Sequence, residues 1–352
     1  ALEALGSVKS SELLDAVDGH YHPLTPLEIS PAFATRLALL LVPASTDKSL
    51  ARQAAAALDA LGVKQDAAAL TKQARDPKFD PQRRLAALRQ LKESRNSKWA
   101  DTAVVLLKED LPALRPEVAA LLAGAKPEVV VDYLKNTGLT SKDLPERQAS
   151  FRLLATLKSP AARQLLEPHL ASLQDPACLL EILDAARVLA PERVPGIESA
   201  LAAKGPLGKW SYALEGGDAA AGKKIFAENL AANCTACHRI DGEGSNVGPA
   251  LAGIGAKGRE HLLESLVLPQ ATVAAGFGLM TATRNDGTVA AGAFLEEKDG
   301  KLVLSQPDGS KLGIPLADIA SRTAPVSTMF SMDPILKPAE LRDLVEFLAS
   351  LK

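Results

Sequence analysis

Cys234-Thr235-Ala236-Cys237-His238 decides how this chain is read. Two thiols three positions apart, followed at once by an imidazole, make the pattern C-x-x-C-H, the attachment signature of a c-type haem. The thiols add across two vinyl groups of the macrocycle, and the histidine beside the second thiol reaches the iron from one face. A structural zinc site needs a second pair of soft ligands. The only other cysteine is Cys178, and no C-x-x-C or H-x₃₋₅-H partner follows. A thioredoxin-like dithiol wants a βαβ setting, whereas the surroundings read as helix and Gly-rich loop. The expectation is one covalent haem c, bound through Cys234 and Cys237, with His238 on the iron.

Working outward, Asp218 to Phe226 reads as a short helix with Asp218 as its N-cap. Lys337 to Lys352 has apolar residues at 341, 344, 345, 348 and 351, which is helical spacing with Pro338 at the start. From Phe277 to Leu316 the pattern turns strand-like, and Asp286-Gly287, Asp299-Gly300 and Asp308-Gly309 mark tight turns. Four strands are predicted, at 278–284, 288–295, 301–306 and 310–315, as a small antiparallel sheet. Iron held by His and Met suits electron transfer, while an open position suits gas binding or peroxide chemistry. Of the three methionines, Met329 and Met332 lie in a loop just before the last helix, and Met280 sits in a strand as packing. His261, in Glu260-His-Leu-Leu-Glu-Ser-Leu, is expected on a helix surface.

These elements resemble the cytochrome c architecture, in which a helix leading to C-x-x-C-H crosses a C-terminal helix. The resemblance implies that Gly222 permits close approach and that Phe226 and Phe347 pack at the crossing. A narrower likeness rests on Cys234-Thr-Ala-Cys-His-Arg-Ile-Asp-Gly-Glu-Gly, Val247-Gly-Pro-Ala-Leu-Ala-Gly253 and Leu262-Leu-Glu-Ser-Leu-Val-Leu-Pro269. It continues with Ser327-Thr-Met329 and Leu341-Arg-Asp-Leu-Val-Glu-Phe-Leu. Over about residues 215–352 the chain is similar to the haem-binding domain of Planctomycetes–Verrucomicrobia type. That likeness implies Met329 as the second axial ligand. Where the family has Pro after this Met, the chain has Phe330, and Met332 follows as the alternative sixth ligand. It also implies that the Pro249 carbonyl meets the ring N–H of His238, a contact that fixes the tautomer.

Residues 1–204 are Ala- and Leu-rich helical segments broken by Pro, Gly and Asp. Leu58, Leu88, Leu121, Leu154 and Ala186 stack as a column with steps of 30 to 33 residues. Helix pairs at such a period make an α-solenoid; the likeness is to HEAT-type repeats, with a shorter period. His20, His22 and His169 show no metal spacing, and Cys178 is expected as a buried small hydrophobe. The Gly- and Pro-rich stretch 205–217 reads as a linker. The fold class is therefore mainly α: a HEAT-like solenoid over 1–204, then a cytochrome c-like domain over 218–352 with a β insertion at about 277–316.

Forty basic against 42 acidic side chains give a net charge of −2. Residues 206–352 hold 14 basic and 17 acidic groups, so neither part has the basic excess of a nucleic-acid binder. No apolar run approaches the ~20 residues that span a bilayer, and no signal peptide is visible at the start. Haem c is attached outside the cytoplasmic membrane, so a periplasmic or otherwise exported location is expected. The motifs define no catalytic residues. The expected function is an electron-transfer module that accepts electrons from a periplasmic dehydrogenase, fused or separate, and passes them to a respiratory acceptor. The alternatives are a haem enzyme or gas/redox sensor with a displaceable sixth ligand, and a solenoid scaffold with haem as a redox tether.

Overall fold

The computed structural model describes Ser30 and residues 67–352. Expectations placed on Leu58, His20 and His22 lie outside the described residues. By packing, the chain divides into two compact units, Ala1–Leu165 and Leu166–Lys352. Residues 166–217 therefore share a unit with the haem motif, and the division falls upstream of the predicted linker.

Among the described residues of the first unit, the helices are α1 (Ala67–Arg75), α2 (Pro81–Glu93), α3 (Trp99–Leu107), α4 (Arg115–Leu122), α5 (Pro127–Asn136) and α6 (Leu144–Leu157). Proline in the first two positions opens α2, α4, α5 and α6, where its missing N–H costs no hydrogen bond. Asp80 and Asp143 cap α2 and α6 by accepting from the backbone N–H of Arg83 and Glu146. Contacts run from each helix to the next or the next but one. Leu88, Leu121 and Leu154 fall on α2, α4 and α6, so the two steps between them each span one helix pair. Leu88 and Leu154 are fully buried.

A polar cluster sits inside this unit. The buried Glu146 accepts from Arg115 Nε (2.7 Å) and Nη2 (2.8 Å), Tyr133 Oη (2.9 Å) and Ser141 Oγ (2.5 Å). Burial alone would raise its pKa, but the hydrogen bonds from Arg115, Ser141 and Tyr133 outweigh it and hold the carboxyl below its ordinary value. A depressed folded-state pKa contributes stability above the unfolded value, and that contribution is lost as pH falls through the folded one. Denaturant midpoints taken from pH 7 down to 3 should therefore drop on the acid side in wild type. In Glu146→Gln the midpoint should start lower and fall less over the same range; parallel curves would refute this.

The second unit adds α7 (Pro160–Ser172), which begins in the first, then α8 (Leu179–Leu189) and α9 (Val194–Ala202). It continues with α10 (Ala219–Glu228), α11 (Arg259–Val267) and α12 (Pro338–Ser350). Asp218 caps α10 as predicted, accepting from the N–H of Ala220 and Ala221. Pro338 opens α12, and the Glu340 side chain accepts from the Lys337 N–H. The two helices cross with Gly222 against the α12 backbone, and Phe226 and Phe347 meet with ring centroids 5.8 Å apart. On α8, Glu181 is bonded by both terminal nitrogens of Arg342 on α12, at 2.9 and 3.0 Å. Both side chains are buried. Cys178 is fully buried, as expected.

The inserted sheet comprises β3 (Gly278–Arg284), β4 (Val289–Lys298), β5 (Lys301–Ser305), β6 (Lys311–Pro315), β7 (Ile319–Arg322) and β8 (Val326–Ser327), while β1 (Arg239–Ile240) and β2 (Glu243–Gly244) pair as a separate ribbon. The order is β6-β5-β4-β3-β7, all antiparallel, with β8 also on β3. Four of these strands match the predicted ones. The other two carry the sheet past residue 316, because the free edge of β3 takes up chain with no alternating pattern of its own. At Asp299-Gly300 both residues have positive φ, as a type I′ hairpin requires.

Candidate haem site

Asn229 ends α10 and accepts from the N–H of Ala231 and Ala232, which turns the chain toward the motif. Asn233 takes a left-handed conformation (φ 43°), and Cys234–Ala236 form one 3₁₀ turn. His238 N–H then bonds the Cys234 carbonyl at 2.8 Å. This tight turn puts both thiols and the imidazole on the wall of one cavity of about 380 Å³. Burial pushes the Cys234 thiol above its ordinary pKa, whereas Cys237 is exposed.

The imidazole is held from behind. Its Nδ1 lies 2.9 Å from the Pro249 carbonyl oxygen. That oxygen can only accept, so Nδ1 carries the proton and Nε2 keeps its lone pair for a metal. Gly248 lies close against the ring: a Cβ there would stand 2.9 Å from His238 Cε1. The Gly-Pro turn thus fixes the ring twice, by a missing side chain and by a carbonyl.

Met329 and Met332 both line the same cavity, while Met280 is buried in the core of the sheet. The strap that carries the two sulfurs is tied at each end. Ser327 pairs with β3, and its backbone exchanges two 2.9 Å bonds with the Gln270 side chain. At the other end, Ser331 Oγ donates to the Val267 carbonyl and Met332 N–H to that of Leu266. Met332 belongs to the main core of the unit and is 5% exposed. Met329 stands between the two ties, half-buried.

His261 is also on the cavity wall, with Lys257. This corrects the expectation of a surface histidine: the α11 face that carries it closes the cavity. Leu262 and Leu266 on α11, and Leu344 and Leu348 on α12, supply an apolar lining. Paired thiols, an oriented imidazole with a free lone pair, thioethers lining the same cavity and an apolar interior fit a covalently held haem. When bound, such a group supplies one-electron chemistry at iron; the chain binds it, orients it and excludes water.

Residues 219–305 match the family described as Cytochrome c. The second unit thus contains a cytochrome c haem-binding domain, a class that implies covalently bound haem c and supports a haem-based role in electron transfer. No curated protein matches the chain. Among the described residues, no helix is long and apolar enough to cross a membrane.

Proposed function

We propose that the chain is an electron-transfer module carrying one haem c, held by Cys234 and Cys237, with His238 and Met329 as the axial ligands. The observation that carries this reading is the imidazole locked by Pro249 O and Gly248, with the Met329 strap on the same cavity. A His/Met pair raises the reduction potential and suits outer-sphere transfer. Met332 on the same wall is the competing donor, but its place in the main core gives it a packing role.

The donor in this reading is a periplasmic dehydrogenase, fused or separate, and the acceptor a respiratory component. An apolar rim supports partner docking: Phe330 is 77% exposed and Val247 66% exposed, both at the cavity wall. The helix pairs of the first unit serve as a HEAT-like solenoid, and export accompanies haem c attachment.

Optical spectra of oxidised and reduced wild type, Met329→Ala and Met332→Ala test the ligand set. Low-spin wild type whose sulfur-to-iron charge-transfer band is lost only in Met329→Ala is the expected result. Loss only in Met332→Ala reassigns the ligand. A high-spin wild type that binds carbon monoxide readily overturns the carrier and favours an enzyme or sensor.

A further inference from the structure

The charge lining the cavity is one-sided. Its wall holds Lys257, His261, His238 and the two motif thiols as titratable groups and, among the described residues, no Asp or Glu. Lys257 ends a 3₁₀ turn, and His261 lies in the first turn of α11 four residues later. Neither side chain has a hydrogen-bond or ion-pair partner among the described residues. Two of the neighbouring charges are already engaged, while Glu260 is exposed and does not line the cavity. Arg259 is bound bidentately by Glu346 at 2.7 Å. Glu264, on the helix of His261, accepts from Thr272 Oγ1 at 3.0 Å.

A haem carries two propionate carboxylates, and a carboxylate brought against apolar walls needs a cation or several donors to replace its water. We propose that Lys257 and His261 are the carboxylate-binding pair of this cavity and receive the haem propionates. This rests on the reading of the cavity as a covalent haem site. Ferric haem carries one more positive charge than ferrous haem, so a cation at this wall favours the reduced state. Removing it lowers the potential, both directly and by leaving a propionate charge uncompensated.

The test uses the full chain, first shown by its pyridine haemochrome spectrum to carry covalent haem. Midpoint potentials are then measured at low salt for wild type, Lys257→Arg, Lys257→Gln, Lys257→Glu and His261→Leu. Lys223→Gln, an exposed lysine on α10 away from the cavity, is the control. Lys257→Gln should shift the redox equilibrium about tenfold toward the oxidised form, or about 59 mV for one electron. Lys257→Glu should shift it further, and Lys257→Arg should stay near wild type. His261→Leu should lower the potential too, and the carboxylate bands in the redox difference infrared spectrum should move in both neutral variants. Potentials that match the control, or a control that shifts as much as Lys257→Gln, would overturn the assignment. Absence of covalent haem would instead overturn the haem reading itself, and this inference with it.

Discussion

Glu181→Ala should destabilise the second unit by about 3–5 kcal/mol, the cost of leaving a buried guanidinium without its carboxylate. Arg342 is 5% exposed, and its Nε already lacks a partner. Both terminal nitrogens would lose theirs as well. The pair itself is a different matter, since taking two charges out of water offsets most of their attraction. Glu181→Leu combined with Arg342→Met should therefore recover much of what Glu181→Leu alone loses. Urea unfolding of the two single variants and the double variant measures this as a coupling energy. A double variant as unstable as the sum of the singles would show that the pair is a minor contributor. The same bond warns against cutting the chain at residue 205: Glu181 would go, and α12 would keep a bare arginine.

Gly222→Ala should cost about 3 kcal/mol, lowering the midpoint of thermal unfolding by roughly 6–12 °C for a unit of this size. Local propensity points the other way, because Ala in a helix interior is favoured over Gly by about 1 kcal/mol. The crossing decides. A Cβ at 222 would fall inside contact distance of the Asp343 carbonyl oxygen and 2.7 Å from Phe347 Cβ. The first obstacle is helix backbone, which cannot swing aside as a long side chain would. The helices must separate, and the Phe226–Phe347 contact opens with them. A calorimetric scan of Gly222→Ala beside the exposed Lys223→Ala settles it: a midpoint equal to or above wild type would mean the helices part freely.

The C-x-x-C-H turn was legible because its residues are contiguous, whereas the Pro249 contact was expected only through the likeness to cytochromes c. Both capped helices and four strands were equally readable from Asp218, Pro338 and the Asp-Gly turns. Other features depend on tertiary placement. Glu181 and Arg342 are 161 positions apart, and nothing local marks either as buried. Ile319-Ala-Ser-Arg322 has no alternation and becomes a strand only because β3 offers an edge. His261 looked like surface because a short helix shows its outward face only once its neighbours are known. Of the repeat column, Leu88, Leu121 and Leu154 fall on alternate helices, and Leu121 is only half-buried.

The strap between Ser327 and Met332 has a kinetic meaning. One end is stitched to a strand and to Gln270, the other to the last carbonyls of a helix. With Met329 as donor, the sulfur has little room to relax between the two oxidation states of iron. Electron transfer at such an iron would then need only a small nuclear rearrangement. The sheet would act as a splint, and what it would contribute to a carrier is speed rather than driving force.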